Sequence, residues 1–154
     1  MKKSQQLKIK ISVRDQRLTL QNGRKKIAAY SISTSRFGLG SKEGSFKTPI
    51  GKFRVAEKIG EGAAPGTVFK SRRPVKATRK MLREDDLVMT RILWLDGLEP
   101  RNANTHERYV YIHGTNHEDE LGKPASHGCV RMRNADVIEL FEQVKEGTPV
   151  EIRP

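Results

Sequence analysis

Apolar and polar positions alternate from the start of the chain. Leu7, Ile9, Ile11 and Val13 are separated by Lys8, Lys10 and Ser12, the period-two pattern of a half-buried strand. "RLTL" and "KIAAYSIS" flank the pair Asn22-Gly23, which predicts a β-hairpin. "GKFRVAEKI" reads as a further strand, entered through the Pro49 and Gly51 of "KTPIG". From Gly60 to Arg83 the chain is rich in Gly, Pro, Lys and Arg without a clear period, so a long surface loop is expected there. "LVMTRILWL" is a strongly apolar segment, with Trp94 expected in the core, and "DGLEPRNANTHE" a polar loop. In "RYVYIHG" Val110 and Ile112 fall on one face, Tyr109, Tyr111 and His113 on the other. The pattern then changes to helical spacing over Ala135 to Glu146, with Val137, Leu140, Phe141 and Val144 at i, i+3, i+4 and i+7. Asn134 is placed to cap the start of that helix and Gly147 its end. "TPVEIRP" closes as a strand. The expectation is a mainly β protein with one or two helices, residues 1–154 forming a single domain.

Composition narrows the class. At 154 residues the chain can bury a substantial core, and a lone cysteine rules out an internal disulfide framework. The opening "MKKSQQLKIKISVRDQRL" has a basic start but no uninterrupted apolar stretch behind it, and no segment reaches the roughly 18 apolar residues of a membrane span. The expected location is the cytoplasm, or the periplasm or cell wall if an export segment lies upstream. Thirty basic against eighteen acidic residues give a net charge of +12, which suits an anionic partner or a well-solvated exterior. No stacking-aromatic or zinc-finger pattern accompanies that charge, and nucleic acid is not the expected partner. "SRRPVKATRK", Ser71 to Lys80, is a solvated basic loop by default and a steering element if it lies near a cleft.

The candidate chemistry sits in "PASHGCVRM". A thiol near its ordinary pKa needs a neighbouring imidazole to act as a nucleophile, and two are candidates. His127, two residues before Cys129, shares its face if the segment is extended; His113 reaches it if the two segments are adjacent in a sheet. Gly128 allows close backbone approach, and the N–H groups around Gly128 and Cys129 suit an oxyanion hole. Arg131 is placed to meet a substrate carboxylate. Each residue also has a plainer reading: Cys129 as a small buried hydrophobe, His127 bonded to a loop carbonyl, Gly128 in a bulge, Arg131 as a solvated charge. His113, His117, His127 and Cys129 can also be counted as a zinc set, though "HGTNH" lacks the usual paired-ligand spacing.

The stretch "IHGTNHEDELGKPASHGCVRM" resembles the signature of the YkuD-type L,D-transpeptidases: a His-Gly pair, a spacer of about a dozen residues, then Ser-His-Gly-Cys and an arginine two further on. "STSRFG", "KTPIGKF" and "ILWLDGLE" resemble the family as well. The resemblance implies a β-sandwich-like catalytic domain with a helix after the cysteine. It implies Cys129 as nucleophile on the third residue of a peptidoglycan stem, usually diaminopimelate, with loss of D-Ala. It implies His113 as proton acceptor and donor, oriented by the Gly114 carbonyl. His127 and Gly128 would shape the pocket, Ser126 would support it, and Arg131 would anchor substrate. The thioester would pass to an amine, giving a cross-link, or to water, trimming a tetrapeptide. The implied partners are stem peptides or muropeptides, with no cofactor, no metal and a monomeric protein. The contrasting reading is a basic, non-catalytic binding module for wall polymer or nucleic acid, or a zinc protein.

Overall fold

The computed structural model describes residues 6–154; the basic start of the opening stretch, Met1 to Gln5, lies outside the described residues. Ten strands are present: β1 Leu7–Ser12, β2 Arg17–Asn22, β3 Lys25–Ser33, β4 Gly51–Ile59, β5 Val68–Lys70, β6 Arg73–Val75, β7 Val88–Gly97, β8 Tyr111–Gly114, β9 Val130–Met132 and β10 Pro149–Arg153. Helices α1 Arg79–Glu84 and α2 Asn134–Gln143 complete the regular structure, with two single 3₁₀ turns. The strands run in the order β4-β10-β1-β2-β3-β9-β8-β7-β5-β6, and β4 also pairs with β7. Eight strands therefore close on themselves, and the β5–β6 hairpin projects from β7. Closure leaves no free edge among those eight, which removes the usual liability of an exposed strand.

Alternation explains the two cores. In β7, Leu93 and Leu95 face the main core with Ile9, Ile11, Leu18, Phe53 and Val150; Ile92 and Trp94 face the other way, with Phe69 and Tyr111. In β8, Ile112 joins the main core while Tyr111 lies opposite. α2 contributes Val137, Leu140 and Phe141 to the main core. The second cluster, on the outer face of β7 and β8, has Cys129 packed at its edge.

Several local expectations are corrected. The Gly60–Arg83 segment is not a loop throughout: it holds β5, β6 and the start of α1. The hairpin turn is Ser71-Arg72, both left-handed at φ 48° and 65°, where a glycine or asparagine would ordinarily signal the turn. In the first hairpin the two-residue connection is Gly23-Arg24, because Asn22 pairs with Lys25 across a bulge at Leu20/Gln21. α2 ends at Gln143, as Val144 turns extended and buries its side chain in the core. Asn134 lies inside the first turn and Arg133 holds the cap position. The Asn134 side chain is spent elsewhere: Oδ1 accepts from Thr90 Oγ1 at 2.6 Å and Nδ2 donates to the Thr115 carbonyl at 2.8 Å. Glu118 caps α2 from outside, accepting from the Asn134 N–H at 2.7 Å. Val110 falls just before β8, after Tyr109 kinks the chain at φ 57°. Among the described residues no helix is long and apolar enough to cross a membrane.

Candidate active site

β8 and β9 run parallel, with Ile112 opposite Val130 and His113 opposite Arg131. Ile112 and Val130 point into the main core, so Tyr111, His113, Cys129 and Arg131 share the outer face. Cys129 immediately precedes β9 and lies diagonally across from His113. The imidazole and the thiol, sixteen residues apart in sequence, are thus neighbours on one sheet face.

Cys129 is half-buried. The Tyr111 N–H donates to its Sγ at 3.3 Å, and its S–H points to the Tyr109 carbonyl at 3.4 Å. Burial pushes the thiol up to about 11; the Tyr111 N–H, Arg108 and Arg131 oppose that rise, and Asp86 adds to it. His113 is buried, with Nδ1 at 2.5 Å from the Gly114 carbonyl. A carbonyl can only accept, so Nδ1 carries the proton and Nε2 is the free base. Burial holds the imidazole pKa below its usual value, and Arg131 pushes the same way; the Gly114 carbonyl and Asp86 oppose. At neutral pH the imidazole is therefore neutral with Nε2 unprotonated, and the sulfur is a thiol whose proton is directed at the Tyr109 carbonyl. Gly114 has no room for a side chain: a Cβ there would lie 2.3 Å from Asn134 Oδ1 and 2.7 Å from the Met89 carbonyl. That close approach fixes the carbonyl that orients His113.

The turn carrying Cys129 is pinned on both sides. Ser126 Oγ donates to the Cys129 carbonyl at 2.6 Å, and Thr48 Oγ1 to the Gly128 carbonyl at 3.0 Å. Thr48 in turn accepts from the Ser35 N–H at 3.0 Å, and Ser35 Oγ donates to the Phe46 carbonyl. Gly128 takes φ 120°, and its N–H faces Ser126 Oγ at 3.3 Å. The segment from His127 to Cys129 is a bend, not an extended run, so the shared-face expectation for His127 fails on geometry. His127 still lines the same cleft as Cys129, with its Nδ1 donating to Asp86 Oδ2 at 2.9 Å and its ring between Phe37 and Phe46.

Arg131 is not where a substrate anchor or a solvated charge would be. It is 1% exposed, with Nη2 at 2.9 Å from Asp86 Oδ1 and Nη1 at 3.1 Å from Glu120 Oε1. Two carboxylates already neutralise the guanidinium, so it braces β9 and, through Asp86, holds His127. The zinc set does not converge either: His113 bonds Gly114, His117 bonds the Asp85 carbonyl at 2.9 Å, and His127 bonds Asp86. No cluster suited to a metal ion occurs among the described residues.

Sequence reasoning missed Asp86, Arg108, Tyr109, Thr48 and Arg72. Arg72, from the basic "SRRPVKATRK" run, lies 4.8 Å over the Trp94 ring and 5.2 Å over Tyr109, and bonds the Tyr111 hydroxyl at 3.1 Å. His106 stacks on Trp94 at 3.9 Å. Trp94 is therefore buried, as expected, but in the outer cluster that backs Cys129.

The chain thus combines a closed, mainly β fold with a thiol and a neutral imidazole on one outer face of β8–β9. Residues 6–152 match the L,D-transpeptidase catalytic domain (YkuD), and the chain belongs to that family. The chain is 54% identical over 48 residues to the putative L,D-transpeptidase YkuD of Bacillus licheniformis, covering 31% of this chain and 29% of that protein. It is 52% identical over 44 residues to the probable L,D-transpeptidase YbiS of Escherichia coli, covering 29% and 14%. Each of these matched segments is less than a third of the curated relative. Among solved structures, L,D-transpeptidase 3 from Mycobacterium tuberculosis with a faropenem-derived adduct matches 98% of this chain and 61% of that chain, with a TM-score of 0.64 at 15% identity. An L,D-transpeptidase from Mycobacterium smegmatis gives 0.63 at 15% identity, over 98% and 60%. At that identity these likenesses establish the fold.

Proposed function

We propose that the protein is a cysteine acyl transferase acting on peptidoglycan tetrapeptide stems at the bond between diaminopimelate and the terminal D-Ala. The observation that carries this reading is the placement of Cys129 and His113 on one face of β8–β9, with Gly114 fixing the tautomer that leaves Nε2 free. His113 Nε2 takes the Cys129 proton as Sγ adds to the carbonyl carbon of the third residue. The tetrahedral intermediate collapses with cleavage of the C–N bond, and the imidazolium returns the proton to the departing D-Ala amine. The thioester is then attacked by an amine of a second stem or by water. His113 accepts the attacking group's proton and returns it to the leaving thiolate, restoring the thiol. An amine acceptor gives a cross-link and water gives a tripeptide. The Gly128 N–H is held by Ser126 Oγ, so the backbone N–H of Cys129 is the donor assigned to the developing oxyanion. Ser126 and Thr48 hold that turn in place.

Mass spectrometry of a diaminopimelate tetrapeptide incubated with the protein, with and without an added D-amino acid, tests the reading. Loss of D-Ala that disappears in Cys129→Ala is the expected result. A product carrying the added amino acid identifies transpeptidation; tripeptide alone identifies carboxypeptidase action. A tetrapeptide left intact by the folded wild type refutes the proposal.

A further inference from the structure

A cleft of about 390 Å³ opens onto Cys129, between the turn carrying Glu43 and Phe46 and the segment carrying Glu107, Arg108 and Tyr109. Its charges are arranged unusually. Arg108 is half-buried, and its Nη1 and Nη2 donate to the Gly40 and Lys47 carbonyls at 3.3 and 2.8 Å. Unlike Arg131, whose charge is met by Asp86 and Glu120, Arg108 forms no salt bridge among the described residues. Glu43 and Glu107 border the same cleft, and Glu43 acts on Arg108 through space without reaching it. Neutral carbonyls compensate part of the lost hydration of a guanidinium but leave its charge unmet. A cation and carboxylates that face one cleft without pairing are complementary to a guest bearing both charges.

We propose that Arg108, with Glu43 and Glu107, forms a receptor for a zwitterionic amino-acid head group beside Cys129, Arg108 binding its carboxylate and the glutamates its ammonium. The proposal rests on the stem-peptide reading, in which the diaminopimelate side chain of the acyl donor ends in such a head group. Once the third-residue carbonyl is at Sγ, that side chain extends along the cleft wall. Phe46 and Tyr109, both largely exposed, flank its methylenes. Arg108 is then a specificity-determining residue: a lysine stem lacks the carboxylate, and an amidated diaminopimelate stem lacks its charge.

The test compares three tetrapeptides, with free diaminopimelate, its side-chain amide and lysine at the third position, on wild type, Arg108→Gln and Arg108→Lys. Charge-assisted bonds of this kind correspond to a preference of about 10- to 100-fold for the free acid. That preference is expected in KM, to collapse to within about twofold in Arg108→Gln, and to survive in part in Arg108→Lys, which keeps the charge but loses the fork. A fall of Arg108→Gln activity by the same factor on all three peptides would show that Arg108 only clamps the Gly40 and Lys47 carbonyls, and would overturn the proposal. Calorimetric binding of the same peptides to Cys129→Ala, with and without Arg108→Gln, reads the preference without turnover. An Arg108-dependent preference there, with no cleavage by wild type, sinks the cleavage reading and keeps the receptor. Cleavage without any preference between acid and amide does the reverse.

Discussion

Arg131 and Asp86 meet at 2.9 Å beneath the turn that carries Cys129, with the arginine side chain 2% exposed and the carboxylate reaching on to His127. Removing one member of a buried pair leaves the other charged and unmet, which costs about 3–5 kcal/mol. Asp86→Asn is expected to lie at the lower end of that range, since Glu120 still reaches Arg131. Chemical denaturation of wild type and variant measures it, and a cost within error of zero would remove the brace from the account.

The same carboxylate gives the fold an acid limit. Burial alone would raise the Asp86 pKa, but hydrogen bonds from Arg131 and His127 outweigh it and hold the group below the ordinary carboxylate value. A depressed carboxylate contributes stability above its unfolded pKa of about 4 and loses it as pH falls toward the folded value. His113 acts earlier. Its folded pKa lies below the unfolded value, so the unfolded chain binds a proton that the folded one does not, and stability begins to fall below about pH 6.5. Thermal midpoints between pH 8 and 3 should decline in two stages. In His113→Asn the first should flatten and the second remain.

Thiol reactivity follows from the opposite shift. With Cys129 pushed up to about 11, little thiolate exists at pH 7. Alkylation by iodoacetamide is expected to be slow at pH 7 and to rise close to tenfold per unit between pH 8 and 10. A rate that is fast and flat from pH 6 to 8 would mean a resting thiolate–imidazolium pair, and would contradict the neutral pair described here.

Gly114 gives a steric prediction. A methyl at this position would meet Asn134 Oδ1 and the Met89 carbonyl well inside contact distance, and Met89 belongs to β7 backbone that cannot swing aside. Gly114→Ala should cost about 1–3 kcal/mol by overpacking and lower kcat by tilting the carbonyl that holds His113. Equal activity in the stable fraction of the variant would separate that carbonyl from function.

What could be read from the sequence was local. The alternation of Leu7 to Ser12, the hairpin around Asn22-Gly23 and the helix after Cys129 each lie within a short window, where spacing fixes geometry. The choice of His113 over His127 as partner of Cys129 came only from the resemblance to the YkuD family. What escaped depends on distant partners or on unusual backbone. Asp86 reaches Arg131 and His127 from more than forty residues away, turning a presumed surface charge into a buried brace. The β5–β6 turn puts Ser71 and Arg72 in left-handed conformations without a glycine or asparagine, so the hairpin carried no turn signal. Tyr109 at φ 57° and Thr90 at φ 74° are set by their surroundings against their own preference. Tyr109 presents its carbonyl to the Cys129 thiol, and Thr90 lies at the register shift of β7 against β8, bonded to Asn134.

Thr48 ties the backbone at Ser35 to the turn before Cys129. Fully buried, it donates to the Gly128 carbonyl and accepts from the Ser35 N–H, each at 3.0 Å. Thr48→Val keeps the shape and removes both bonds, leaving a buried N–H and a buried carbonyl without partners, at a cost of about 1–3 kcal/mol. Thr48→Ser keeps the hydroxyl and loses one methyl, worth about 1 kcal/mol. If the hydroxyl sets the position of the turn before Cys129, kcat on a stem tetrapeptide should fall at least tenfold in Thr48→Val and little in Thr48→Ser, when both are assayed well below their melting midpoints. If both variants lose activity in proportion to lost stability, the threonine acts only on the fold and the Gly128 carbonyl needs no hydroxyl to stay in place.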